Sequence, residues 1–362
     1  YKELDLEITS IYDCESEKIS KNYDKCKVHY INIKNKLIFK IRDKQIKYIS
    51  GRCEKFIENK YIKSIKKILN DNKYDIVIFE NTHKYAYILR EYLNNTYKVL
   101  HLHNDYLNIE IRESKKYAEA FDEIICISNF IEKRVNEICK VKTNVVYNGI
   151  DTERFVKSDL ARENIRKSLN IPKENKVILF SGRIVKEKGV LELIKAFNII
   201  DGNYKITLMI IGSKLYGENV TDDYMKEILE LVKKSEDRIK LLGYINYDEI
   251  SDYYAACDIG VLPTMWEEPL SLAVIEYLSS GMPVIISNSG GMVELVDNNC
   301  GFIVNKGDSF INELAKKMEL LITDNKLYMN YSKAAQERAK LFDKQIYCKN
   351  MMNYIDNIRK EF

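Results

Sequence analysis

Two carboxylates, Glu268 and Glu276, stand in an E-x7-E spacing around the start of what reads as a helix, inside residues 259–296. The apolar run 259–262 is short enough for a buried strand, and Pro263 stops it. Pro269 suits the first turn of a helix, where its missing N–H costs nothing. Ser279-Ser280-Gly281 ends that helix and Pro283 opens the next strand, so the segment reads as a βαβ unit. At such a helix start the amides of Leu270, Ser271 and Leu272 form a ready anion site. Carboxylates beside it can hold sugar or ribose hydroxyls by charge-assisted hydrogen bonds. Sugar plus phosphate points to a nucleotide sugar. An E-x7-E spacing by itself is met more readily by Glu268 capping a helix and Glu276 facing solvent, since acids sit readily in a first turn.

The wider sequence narrows that choice. The run Glu268-Pro-Leu-Ser-Leu-Ala-Val-Ile-Glu276, the following Ser280-Gly-Met-Pro-Val284 and the turn Gly290-Gly-Met-Val-Glu294 resemble the signature of the family-4 retaining glycosyltransferases of GT-B fold. Ser181-Gly-Arg-Ile-Val-Lys-Glu-Lys-Gly-Val190 resembles the phosphate-binding segment of that family. His103-Asn-Asp105, Ser128 and Asn148-Gly-Ile-Asp151 fall where the family has its histidine, its serine and its inter-domain turn, and the resemblance spans about residues 75–330. It implies an α/β protein of two doubly wound, Rossmann-like domains facing a central cleft. It also implies transfer of a sugar, with retention, from a nucleotide sugar (a UDP-sugar is favoured) to a glycan or glycolipid acceptor.

Roles follow from the resemblance residue by residue. Glu276 is expected on the ribose hydroxyls and Glu268 on the donor sugar, with the amides of Leu270, Ser271 and Leu272 near phosphate or sugar. The family usually has Phe-Gly where this chain has Leu270-Ser271, and a serine narrows close backbone approach, which bears on donor-sugar identity. Gly243-Tyr244-Ile245 resembles the base-binding turn, although an ordinary strand-end turn has the same composition. His103 is expected to contact the donor sugar, with His101 as the alternative.

The departing diphosphate needs cations. Arg183 and Lys188 sit on the turn after the strand 176–180, with Gly182 and Gly189 permitting close backbone approach. With these charges no cofactor and no divalent metal is expected, and there is no Asp-x-Asp motif to hold one. Asp222-Asp223 reads as a helix start. His101, His103 and Asp105 would share one side of a strand, but no further His or Cys nearby completes a metal set.

The elements that must position these residues alternate. Strand patterns at 75–80, 97–103, 123–128 and 144–147 are separated by helical patterns such as 83–93 and 129–139. In parallel sheets ligands sit beyond the carboxyl ends of strands, where His103, Ser128 and Asn148 fall. The polar stretch 151–175 reads as a linker. Further strands at 176–180, 205–211, 239–242, 259–262, 284–287 and 301–304 repeat the pattern, followed by helices at 308–322 and 332–362. Expected domains are 1–150 (acceptor), 151–335 (nucleotide sugar) and a last helix, 336–362, which by resemblance crosses back to the first domain.

A chain of 362 residues, 46% hydrophobic and 31% charged, fills two domains and excludes a disordered or fibrous protein. Its eight cysteines are scattered without a C-x2-C pair and read as reduced thiols of a cytoplasmic protein. No apolar run approaches the ~20 residues that span a bilayer. The chain opens at Tyr1, and residues 1–13 read as a helix end entering a second strand, so roughly one βα unit, on the order of 30 residues, is expected upstream. Net charge is +3, yet residues 18–67 are rich in Lys and Arg, a composition that suits either solvated helix faces or an anionic membrane surface. A peripheral protein on the inner membrane face is expected, with no nucleic-acid partner. The competing readings are a nucleotide-sugar epimerase on the same scaffold and a non-catalytic module that binds membrane or nucleic acid through the basic stretch. A dinucleotide oxidoreductase is disfavoured because no G-x-G-x-x-G follows a strand.

Overall fold

The computed structural model describes residues 5–11, 21, 26–31, 47–200, 202–213, 222–235 and 237–361. Much of the basic 18–67 stretch therefore lies outside the described residues. The chain divides into two compact units, Tyr1–Leu100 with Glu113–Glu123, and His101–Arg112 with Ile124–Phe362.

In the first unit β1 (Leu6–Ile11) pairs in parallel with β2 (Cys26–Ile31). Glu7 on β1 accepts from Lys27 Nζ (2.6 Å), Tyr74 Oη (2.5 Å) and His29 Nε2 (2.8 Å), and these bonds, that from Lys27 foremost, hold its carboxyl down at about 2. α1 (Lys47–Asp71), β3 (Ile76–Glu80), α2 (Tyr85–Leu89), β4 (Tyr97–Leu102), α3 (Ser114–Ala118), β5 (Glu123–Cys126), α4 (Asn129–Asn136) and β6 (Lys142–Val145) follow along the chain. Strands β3, β4, β5 and β6 form one sheet in that order, and the boundary between the units runs through β4 and β5.

The second unit continues with α5 (Asp159–Ser168), β7 (Lys176–Ser181), α6 (Val190–Ile199), β8 (Ile206–Ile211), α7 (Asp223–Lys234), β9 (Ile239–Gly243), α8 (Ile250–Ala255), β10 (Ile259–Leu262), α9 (Leu272–Ser279), β11 (Val284–Ser287) and β12 (Gly301–Val304). α10 (Phe310–Thr323), α11 (Asn325–Ala339) and α12 (Lys344–Glu361) end it. Its six strands are parallel, in the order β12-β11-β10-β7-β8-β9. β8, β10 and β11 are buried throughout and read as near-continuous apolar runs, with Thr207 and Ser287 the polar exceptions, rather than alternating ones. Asp222 caps α7 by accepting from the Met225 amide, as expected of a helix start. Among the described residues no helix is long and apolar enough to cross a membrane.

Two expectations are corrected. Residues 151–175 are no linker, because they hold a 3-10 turn (Thr152–Phe155) and α5, with Phe155 and Arg166 buried. The terminal helix is interrupted at residues 340–343, where Ile150 N donates to Phe342 O (3.0 Å) and Lys344 N to Ile150 O (2.7 Å), a tertiary contact that diverts the helical ladder. α12 then reaches Lys142, whose Nζ meets Glu361 at 2.8 Å.

α5 is fastened by a buried ion cluster. Asp258, just before β10, accepts from Arg162 Nη2 and Arg166 Nη2 (2.7 Å each) and from the Val177 amide (2.7 Å). Arg166 is 4% exposed and spends its other donors on the carbonyls of Ala256, Lys173 and Asn175. Removing the carboxylate strands a buried guanidinium, so Asp258→Ala should cost about 3–5 kcal/mol. The cost should appear as a lowered denaturant midpoint of the first unfolding transition.

Candidate active site

Strand order in the second unit reverses at β7: the chain runs outward to β8 and β9, then returns through α8 to β10 on the other flank of β7. Crevices at such switch points, beyond the strands' carboxyl ends, are where open α/β sheets bind ligands. Two loops leave there. The one after β7 carries Gly182, Arg183 and, in a 3-10 turn, Lys188. Gly189 ends that turn with φ +71°, and a Cβ there would lie 2.0 Å from the Pro263 carbonyl oxygen, so the close approach of the two loops requires glycine. The loop after β10 is docked by the Met265 amide on the Glu187 carbonyl (2.8 Å).

This docking brings Lys188 Nζ to Glu268 Oε2 at 2.6 Å, with Glu268 only 7% exposed. Trp266 Nε1 donates to the same oxygen (2.8 Å). Behind the carboxylate, Ser289 Oγ accepts from the Glu268 amide (3.2 Å) and donates to the Trp266 carbonyl. Gly291 N donates to Glu268 O (2.8 Å), while Glu267 takes the Gly290 amide (2.7 Å) and Lys306 Nζ (2.6 Å). The same turn reaches α4: Glu294 accepts from the amides of Asn129 (2.9 Å) and Phe130 (2.8 Å) and from Tyr147 Oη (2.7 Å). Ser128 caps α4 at Ile131 and donates to the Pro269 carbonyl (2.8 Å).

Glu276 lies inside α9, buried, and accepts from Tyr254 Oη at 2.7 Å. Burial pushes its carboxyl above the ordinary carboxylate range, with the Tyr254 hydrogen bond opposing. Burial also raises the Tyr254 hydroxyl well above a normal phenol, so it stays a donor. α9 begins later than the proline suggests. Ser271 is its N-cap and Leu272 its first residue, whereas Pro269 and Leu270 remain in the loop, Pro269 engaged by Ser128. Leu270 and Ser271 are buried and Leu272 is exposed.

The other expected residues also follow strands, Tyr244 on the same sheet and His103 on the sheet of β3 to β6. Arg183 is exposed and its guanidinium has no ion pair among the described residues. Tyr244 follows β9 and is 48% exposed. His103 follows β4, partly exposed, its ring 4.1 Å from that of the fully buried His101. Asp105 pairs with Arg134 (3.1 Å). Sequence reasoning overlooked Tyr254, one tyrosine among 26, and Trp266, whose signal was being the chain's single tryptophan two positions before Glu268.

The family "Glycosyl transferases group 1" matches residues 161–338, and "Glycosyltransferase Family 4" matches residues 38–154. The lipopolysaccharide 1,2-N-acetylglucosaminetransferase of Salmonella typhimurium is 25% identical over 347 residues, 92% of this chain and 85% of that one. The capsular polysaccharide biosynthesis glycosyltransferase CapM of Staphylococcus aureus is 32% identical over 250 residues, 66% of this chain and 62% of that one. The crystal structure of Anabaena Alr3699/HepE in complex with UDP-glucose superposes with a TM-score of 0.75 at 20% identity, covering 97% of this chain and 91% of that one. With both halves matched by glycosyltransferase families and the fold shared, the chain belongs to the family-4 glycosyltransferases of GT-B fold.

Proposed function

We propose that this glycosyltransferase moves a hexosyl group from a nucleotide sugar, a UDP-sugar, to a hydroxyl of a glycan or glycolipid in surface-polysaccharide synthesis. The observation that carries this is the meeting of Lys188 with Glu268 at the β7/β10 switch point, next to the helix that holds Glu276. The relatives' names support the pathway, and the UDP-glucose held by the Anabaena protein supports the donor base.

In this reading Lys188 and Arg183 take the diphosphate and Glu276 takes the ribose hydroxyls. Tyr244 lies against the base. Glu268 and the Leu270–Leu272 backbone position the sugar, with His103 as a further contact. The bond from the anomeric carbon to the diphosphate oxygen breaks as the acceptor oxygen bonds to that carbon. The acceptor's proton passes to the departing phosphate on the same face of the sugar, which retains configuration. The two cations supply the charge stabilisation, and the reaction is metal-independent. Exposed Lys60, Lys63 and Lys67 on α1 would add attraction to an anionic membrane around the acceptor.

Binding and slow hydrolysis measured across UDP-, GDP-, ADP- and dTDP-sugars test the donor assignment, and absence of binding in every series would refute it. Arg183→Ala should lower kcat by ~10²–10³. Glu276→Ala should weaken UDP binding ~10–100-fold, the value of a hydrogen bond to a charged group. The ionised Glu276 is the acceptor of the ribose hydroxyls, and its pKa is raised, so it loses charge earlier than an ordinary carboxylate as pH falls. Donor affinity should therefore drop on the acid side at a higher pH than an ordinary carboxylate would give, and Glu276→Gln should flatten that limb.

A further inference from the structure

Glu268 receives two donors on one oxygen. Lys188 Nζ and Trp266 Nε1 both bond Oε2, at 2.6 and 2.8 Å, and among the described residues Oε1 accepts no hydrogen bond. One of these donors has a second task. Under the function proposed above, on which this inference rests, Lys188 serves the donor's diphosphate, an anion that competes with Glu268 for its ammonium. The indole N–H is instead held on Glu268 by its loop, which is pinned at Met265 N, Trp266 O and Glu268 N. Trp266 is 39% exposed, with Lys188 Nζ 5.8 Å from its ring centroid. A partly exposed amphipathic indole with its N–H committed is suited to cover the apolar C–H face of a pyranose.

We propose that Trp266 is the positioning residue of the sugar subsite. It holds Glu268 Oε2 when the diphosphate draws Lys188 away, so that Oε1 meets a hydroxyl of the transferred hexose, and its ring walls that hexose. Trp266 thus discriminates a sugar-bearing nucleotide from the bare nucleotide, whereas Lys188 serves both.

Trp266 is the single tryptophan of the chain, so its emission reports this subsite without labelling. The test uses the whole chain, with UDP and UDP-glucose as probes, followed by calorimetry and tryptophan fluorescence. UDP-glucose should shift the emission to the blue and UDP should not. Trp266→Phe, which keeps a ring and removes the N–H, should leave UDP affinity within about twofold while weakening UDP-glucose binding about tenfold or more. Lys188→Ala should weaken both ligands together and preserve the UDP-glucose blue shift. Equal spectral change with UDP and UDP-glucose, or equal weakening of both ligands in Trp266→Phe, would overturn the assignment. If neither probe binds the unaltered protein, with UDP-galactose and UDP-N-acetylglucosamine also silent, the donor assignment itself falls and this one with it. If one of those sugars binds where UDP-glucose does not, the same ratios are read with that sugar.

Discussion

An ammonium and a carboxylate 2.6 Å apart, with 14% and 9% of their side chains exposed, are expensive to bring together. Each loses most of its hydration, and their mutual attraction offsets that loss only when geometry is fixed and remaining lone pairs are occupied. The Lys188–Glu268 pair meets these demands through its surroundings. Two loops leave adjacent parallel strands on the same edge of the sheet, and Gly189 lets one backbone lie against the other. Ser289 and Gly291 fasten the second loop from behind. The same two charges exposed to water would contribute little.

The two carboxylates of the E-x7-E motif end in opposite environments. Glu268 faces a cation and an indole N–H, whereas Glu276 is buried in a helix against a tyrosine hydroxyl, so desolvation dominates its proton affinity. One sequence spacing has thus produced a cation-paired carboxylate and a hydroxyl-paired one. That difference suits a ligand with a charged middle and hydroxylated ends.

Much of this was legible in the residues. Strands β10, β11 and β12 have the bounds expected from their apolar runs and flanking Pro and Gly; β10 and β11 are buried on both faces, where little but apolar composition is available. The pairing of Arg183 and Lys188 with one loop, and of Glu268 with the next, followed from spacing and resemblance. Local punctuation misleads in two places: Pro269 suits a first helical turn, yet the helix starts at Leu272, and residues 151–175 have the polar composition of a linker, yet α5 is amphipathic and packs through Arg166. In both places a long-range partner, Ser128 for Pro269 and Asp258 for α5, outweighed the local propensity.

The sequence by itself determined the alternation of strand and helix, the glycines at the crowded turns and the charges available at the strand ends. These depend on short-range sterics and on which groups tolerate burial, and both are written in the order of residues. Only the tertiary structure decided which of those charges meet. Lys188 lies 80 positions from Glu268, and Tyr254 lies 22 from Glu276. Such pairs form because the sheet reverses direction at β7 and sets β10 beside it, and no periodicity along the chain encodes which strands become neighbours.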